Sequence, residues 1–366
     1  MLIGIPKEIK ESEYRVGLIP DGAAALVKAG HSVRVQKGAG EAAGYSDAEY
    51  RKNGARIVSR AAEAWNADLV VKVKEPLAPE YACLRAGQML FTFLHLAPNP
   101  VLVKNLLRKK VTAIGYETVE DNGRLPILEP MSEIAGRISA LVGAYYQANP
   151  QGGRGVLFGG MPGVLPAHVV VLGGGTVGEN AARVAAGMGS RVTVLERRME
   201  RMRYLDEIMP SNVSTENATS EAIEEAVISA DIVIGAVHIP GSKTPKLITR
   251  PMVRRMRPRS VIVDIDQGGS CETSRPTSHS NPTFLAEGVL HYCVPNMPGA
   301  YGRTSTQALL NATFSYVKIL AQKPLRSILE EAPGLAKGIQ CFAGHLVCAP
   351  VGNAQKIPVV SLESLV

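Results

Sequence analysis

The chain has 366 residues, 46% of them hydrophobic, and a formal net charge of +7. That length is too great for one ordinary core, and the apolar content is enough to fill two, so a soluble protein of two domains is expected. Five cysteines, Cys83, Cys271, Cys293, Cys341 and Cys348, are odd in number and lack CxxC spacing, which argues against a disulfide framework or a zinc site and points to a reducing, cytoplasmic setting.

The first ten residues, MLIGIPKEIK, carry charge at Lys7 and no long apolar run, so no secretory leader is expected. Short β-rich runs then alternate with helical stretches: LIGIP, DGAAALVKAG, HSVRVQ, a helix near Asp47 to Asn53, ADLVVKVK, QMLFTFLHL, PVLVKNLLRK and VTAIGYE. Strands separated by helices in this way indicate βαβ units and a mainly parallel sheet. After Pro130, MSEIAGRISALVGAYYQA has small and apolar residues at helical spacing and reads as one long linking helix. From Gly155 to Gly178 there is no charged residue, but Pro162, Pro166 and several glycines interrupt the run. It is therefore no membrane helix.

A second alternating series follows: HVVVLGG, a helix from about Thr176, SRVTVLE, a helix from about Arg198, ADIVIGAV, a helix near Pro251 to Met256, and SVIVDID. This is the order of a doubly wound nucleotide-binding domain. Arg303 to Lys323 reads as another long amphipathic helix, after which the chain is less regular. The fold class expected is α/β with two Rossmann-like doubly wound domains. The nucleotide-binding domain, residues 128–303, is inserted into a discontinuous substrate domain, residues 1–127 and 304–366, whose sheet resumes in, or is covered by, the C-terminal tail. The basic clusters RRMERMR (Arg197 to Arg203) and RRMRPR (Arg254 to Arg259) lack interleaved aromatics. They read as solvated helix faces, and no nucleic-acid partner is expected.

Gly173, Gly175 and Gly178 form G-x-G-x-x-G directly after VVVL and at the start of a helix. The first glycine allows the tight turn, the second a close backbone approach to a pyrophosphate, and the third close packing of helix on strand. Amide groups of the first helical turn, including Thr176 and Val177, then face the phosphates. The next strand ends at Glu196, where an acid accepts hydrogen bonds from the adenosine ribose hydroxyls and favours NAD. The neighbouring Arg197 and Arg198 are residues of the type that holds a 2′-phosphate, which leaves NADP as the alternative.

The first domain is then expected to hold the substrate. Its polar candidates near strand ends are Arg15, Lys72, Lys74 and His95. By alternation Lys72 and Lys74 share a face of their strand, so either the pair lines a cleft or that face is wet.

The segments GIPKEIKESEYRVGLIP, VVKVKEPL, LFTFLHLA, YETVE, PMSEIAGR, QGGRGVLFGG, VVVLGGGTVG, DIVIGAV, DQGG, PTSH, PNMPGA, TSTQAL and LAKG run in order from Gly4 to Gly338. In these segments the chain resembles the alanine dehydrogenases, relatives of the NAD-binding domain of proton-translocating transhydrogenase. The resemblance implies NAD-dependent, reversible oxidative deamination of L-alanine to pyruvate and ammonia, with glyoxylate as a second oxo acid, in a cytoplasmic homohexamer and without a metal. It implies that Arg15 clamps the substrate carboxylate, Lys74 holds and polarises the substrate oxygen, and His95 is the general acid and base. Asp266 would assist the water and proton steps, and Ser132 would contact the cofactor phosphates. Asn296 and Met297 would line the nicotinamide end. Arg197 and Arg201 are counted with the cofactor set, as is His238, which stands where the family usually has an aliphatic residue near the cofactor.

One departure bears on activity. The family pattern has three residues between two aspartates, whereas VDIDQGG has only Ile265 between Asp264 and Asp266. Losing two residues keeps side-chain parity but shortens the reach by about 6.6 Å. This shortening makes an NADH-binding protein with weak or no turnover one alternative; a reading that keeps the fold but changes the role, a cofactor-binding module of a transhydrogenase, is another. The intact trio Arg15, Lys74 and His95 argues against the latter.

Overall fold

The computed structural model describes residues 1–237, 246–266 and 269–366. They form two compact units, Met1–Met131 with Gly299–Val366, and Ser132–Pro298. His238, Gln267 and Gly268 lie outside the described residues.

In the first part of the chain the strands are β1 (Leu2–Ile5), β2 (Ser32–Gln36), β3 (Arg56–Val58), β4 (Leu69–Val71), β5 (Met89–Thr92) and β6 (Thr112–Gly115). The inserted unit contributes β7 (His168–Leu172), β8 (Arg191–Glu196), β9 (Val213–Asn217), β10 (Ile232–Gly235), β11 (Val261–Asp264), β12 (Thr283–Ala286) and β13 (Val289–Tyr292). After the insertion come β14 (Ile339–Phe342) and β15 (His345–Leu346).

The discontinuous unit holds one sheet in the order β15-β14-β6-β5-β4-β1-β2-β3. Its six N-terminal strands are parallel, whereas β14 and β15 join antiparallel beside β6. The C-terminal tail thus resumes the sheet. Winding runs outward from β1 to β3, returns to β4 and proceeds to β6, so the topological switch lies between β1 and β4. Ligands of open α/β sheets bind beyond the carboxyl ends of strands at such a switch. Helices such as Pro20–Lys28, with Pro20 in its first turn, and Pro100–Arg108, capped by the Asn99 side chain, bury apolar residues against this sheet.

The inserted unit repeats the scheme in the order β12-β13-β11-β10-β7-β8-β9, with every pairing parallel except β12 with β13. Here the switch lies between β7 and β10. All five residues of β7, HVVVL, are buried, as a parallel strand covered on both faces requires.

Two features lacked a readable signal, and one expected strand ends early. The edge strand β9, VSTEN, is mostly polar and half exposed, so no apolar alternation marks it. The hairpin β12–β13 turns through Glu287 and Gly288, both left-handed at φ 51° and 77°, a two-residue turn of the kind that suits strand twist. The expected strand LVVKVK stops at Val71; Lys72 and Lys74 follow its carboxyl end.

Candidate functional site

In the discontinuous unit the chain places its charged side chains beyond the ends of β1, β4, β5 and β6, the strands on either side of the switch. After β1 come Glu8, Lys10, Glu13 and Arg15; after β4, Lys72, Lys74 and Glu75; after β5, His95; after β6, Glu117.

Arg15 is buried, and its orientation is set by Glu13. The guanidinium donates from Nε to Glu13 Oε1 at 2.6 Å and from Nη2 to Glu13 Oε2 at 2.5 Å, while Nη1 points to Met131 Sδ at 3.1 Å. A paired, two-point contact fixes the plane of the fork as well as its position.

Lys74 Nζ lies 3.3 Å from His95 Nε2. It also sits 5.9 Å from the centre of the Phe93 ring, which stacks on the His95 ring at 6.0 Å. Burial, reinforced by the Arg15 and Lys10 cations, pulls the Lys74 pKa down to about 8. His95 as a residue is exposed, while its ring lies between Phe93 and the Lys74 ammonium and is partly desolvated there. That desolvation, and then the Lys74 cation, lower the His95 pKa, with Glu117 and Glu75 opposing. A neutral imidazole next to a partly titratable ammonium is a pair able to exchange a proton near neutral pH.

The expectation that Lys72 and Lys74 line one cleft, or share one wet face, is corrected. Lys72 is 1% exposed and its ammonium lies between Glu80 Oε1 at 2.8 Å and Glu8 Oε2 at 3.2 Å. Burial opposes that charge, but the two carboxylates outweigh it and the Lys72 pKa lies above the usual lysine range. For Glu8 burial wins over the Lys72 attraction, and its pKa is raised. Glu8 Oε1 in turn accepts from the Val73 N–H at 2.7 Å. Lys72 thus anchors the backbone from which Lys74 projects. The acids Glu8, Glu13, Glu75 and Glu117 carry no motif of their own, and residue-type reasoning missed them. For Glu8, Glu13 and Glu75 the one signal was proximity in sequence to the cations, as in KEIKESEYR and KEP; Glu117 had none.

In the inserted unit, Gly173 follows β7 with φ 93°, a left-handed conformation that favours glycine. A Cβ on Gly178 would overlap the Gly173 carbonyl oxygen, while one on Gly175 would meet no protein atom within 4 Å. The turn is therefore closed on its protein side and open in front of Gly175. The helix Thr176–Gly187 begins there with Gly175 as its N-cap, and no side chain caps it. Its first amides, with Thr176 and Val177, are the donors suited to a phosphate group.

Glu196 ends β8 and is buried; its oxygens accept from the N–H groups of Gly174 at 2.9 Å, Arg197 at 2.9 Å and Arg198 at 3.0 Å. Burial alone would raise its pKa, yet these bonds and the Arg198 side chain prevail and hold it below the usual range. Arg201 donates to the Gly174 carbonyl at 2.5 Å and pairs with Glu179 at 2.6 Å. These contacts tie the glycine turn to the end of β8, so the residues present suit a dinucleotide. Ser132 and Asn296 are half-buried, the latter left-handed at φ 57°, and the Met297 side chain lies in the core of the unit.

At the end of β11, Asp264 is buried and accepts from Ser270 Oγ at 3.0 Å. Asp266 is half-buried; its carbonyl accepts from Gly269 N–H at 3.1 Å, and its carboxylate lies against the Gly269 backbone. Among the described residues no group of His, Cys, Asp and Glu could hold a metal ion, and no helix is long and apolar enough to cross a membrane.

A paired doubly wound architecture, an open glycine turn at one switch point and a cation–imidazole pair at the other define the class: a nucleotide-binding α/β oxidoreductase. Residues 4–135 match the family described as Alanine dehydrogenase/PNT, N-terminal domain, and residues 139–349 match Alanine dehydrogenase/PNT, C-terminal domain. The chain belongs to this family. It is 50% identical over 370 residues to the alanine dehydrogenase of Halomonas elongata, covering 100% of both chains. Over 368 residues it is 50% identical to that of Methanococcus maripaludis, covering 99% of each. A solved L-alanine dehydrogenase superposes with a TM-score of 0.94 at 48% identity, over 97% of this chain and 99% of the other. The transhydrogenase from Sinorhizobium meliloti shares the fold, with a TM-score of 0.80 at 24% identity over 95% of this chain and 99% of that one.

Proposed function

We propose that this chain catalyses the NAD-dependent, reversible oxidative deamination of L-alanine to pyruvate and ammonia. The observation that carries the reading is the Lys74–His95 contact at 3.3 Å, on the same sheet edge as a buried, oriented Arg15, in a chain half identical to alanine dehydrogenases over its whole length.

Residues 1–127 and 304–366 form the substrate domain and residues 128–303 the NAD domain. Arg15, its plane set by Glu13, binds the substrate carboxylate, for which a planar fork is well shaped. Lys74 holds the carbonyl oxygen of pyruvate and stabilises the negative charge that develops on it. His95 Nε2 takes a proton during alanine oxidation and returns it during reduction. When bound, NAD supplies the hydride acceptor, and the protein contributes orientation and electrostatics. Gly173, Gly175, Thr176, Val177 and Gly178 hold its pyrophosphate with Ser132, and Glu196 accepts from the ribose hydroxyls. Arg197, Arg201, His238, Asn296 and Met297 complete its surroundings, and Asp266 assists the water and proton steps. No metal enters this scheme. The working form is a cytoplasmic homohexamer, and glyoxylate serves as a second oxo acid.

The position of the Asp266 carboxylate against Gly269 favours one other reading, an NADH-binding protein with weak or no turnover. The test is reduction of NAD⁺ by L-alanine at alkaline pH, followed by absorbance. Lys74→Ala and His95→Ala are expected to abolish turnover and leave NADH binding, read by fluorescence, nearly intact. Binding without turnover in the unmodified protein would establish the other reading, and loss of NADH binding in both variants would overturn the assigned roles.

A further inference from the structure

The segment YETVE has no role in the scheme above, yet its glutamate is tied to His95. Strands β5 and β6 are parallel, with Thr92 opposite Gly115. Two residues beyond the end of each strand, Glu117 in the turn Tyr116–Thr118 lies beside Leu94. The Glu117 carboxylate there accepts the Leu94 N–H with both oxygens at 3.1 Å and the His95 N–H at 2.7 Å.

Two successive amide groups converge on one anion, an arrangement known as a nest. His95 itself has φ 45°, a left-handed conformation that is strained for a non-glycine residue and persists only where its surroundings hold it. Removing the carboxylate removes the partner that holds it.

We infer that Glu117 is a positioning residue, which clamps the backbone at Leu94 and His95 and so aims the imidazole at Lys74. This rests on the reading of His95 as the proton-handling group. Glu117 also supplies a negative charge near the ring. The other groups acting on the imidazole are Lys74 and Glu75 after β4 and Lys10 after β1, of which Lys74 and Lys10 oppose its protonation and Glu75 favours it. The Glu117 charge also acts weakly on the Cys348 thiol of the C-terminal segment. Neutralising Glu117 therefore disfavours the imidazolium, and a proton leaves the ring at lower pH.

Glu117→Gln keeps an acceptor oxygen for the two amides but no charge; Glu117→Ala keeps neither. For Glu117→Gln we expect a smaller loss of kcat than for Glu117→Ala. The alkaline limb of pyruvate reduction and the His95 titration seen by NMR should both move to lower pH by about one unit. For Glu117→Ala we expect kcat to fall roughly 10- to 100-fold, with NADH affinity unchanged. A purely structural role would lower Tm without moving the limb. An unmoved limb and His95 titration in Glu117→Gln overturn the inference, as does full kcat in a folded Glu117→Ala. If Glu117→Ala does not fold, the limb in Glu117→Gln decides alone. Persistent turnover in His95→Ala would instead overturn the active-site reading itself.

Discussion

Lys72 and Lys74 are two positions apart and chemically identical, yet the fold gives them opposite properties. Lys72 is enclosed by Glu8 and Glu80 and keeps its proton more tightly than a free lysine. Lys74 is desolvated, shares its surroundings with Arg15 and Lys10, and is lowered to about 8. The consequence for binding has a definite sign. Below pH 8 the Lys74 ammonium is present and attracts the pyruvate oxygen; as pH rises through 8 it is lost. With NADH saturating, the pyruvate KM is expected to be flat between about pH 6 and 7.5 and to rise about tenfold per unit well above 8. A KM independent of pH up to 10 would refute the role given to Lys74. Sequence alternation could place the two lysines on one side of a strand. It could not show which of them meets carboxylates, because those carboxylates come from residues 8 and 80.

Among the elements, the glycine turn was the most legible, because its requirements are local. A strand, a left-handed glycine and a helix start must follow one another without a gap, and VVVLGGGTVG contains all three. The spacing is also tightly constrained: a methyl group at Gly178 would collide with the Gly173 carbonyl. Gly178→Ala is therefore expected to push the helix Thr176–Gly187 away from β7. NADH affinity should fall at least tenfold and Tm should drop by several degrees, in line with the usual 1–3 kcal/mol cost of overpacking. Gly175→Ala has open space and should leave Tm unchanged while weakening NADH binding, since the methyl occupies the space in front of the turn. Fluorescence titration and thermal melts of the two variants check this contrast. The edge strand β9 and the tail strands β14 and β15 were not legible. Edge strands need only one buried face and are short, and β14 is specified by its pairing with β6 more than 200 residues earlier.

For the whole molecule, the insertion has a direct thermodynamic meaning. Ser132–Pro298 has its own sheet and two apolar clusters, one built on Val169, Val171 and Ala181, the other on Val170, Val233 and Ile262. A unit with a complete core is expected to fold alone. The isolated segment 132–298 should melt cooperatively and bind NADH, and saturating NADH should raise its stability by about 2.7 kcal/mol at a concentration one hundred times Kd. It should show no turnover with alanine, because Arg15, Lys74 and His95 are absent. A segment that fails to fold, or that oxidises alanine, would contradict the division of roles.

By itself, the sequence determined whatever depends on near neighbours: the alternating strands and helices of a doubly wound α/β chain, the glycine turn, the acid that ends β8, and the residues that carry the family resemblance. Only the tertiary structure decided which charges meet. Glu117 reaches the backbone of His95 because β5 and β6 lie in register, the Glu13 and Arg15 side chains are buried together, and Lys72 is withdrawn from the site by acids on two other segments. The reason is physical. Periodicity and turn chemistry act over a few residues, whereas the pKa of a buried group is set by whatever charges the packing brings within a few ångströms, at any separation along the chain.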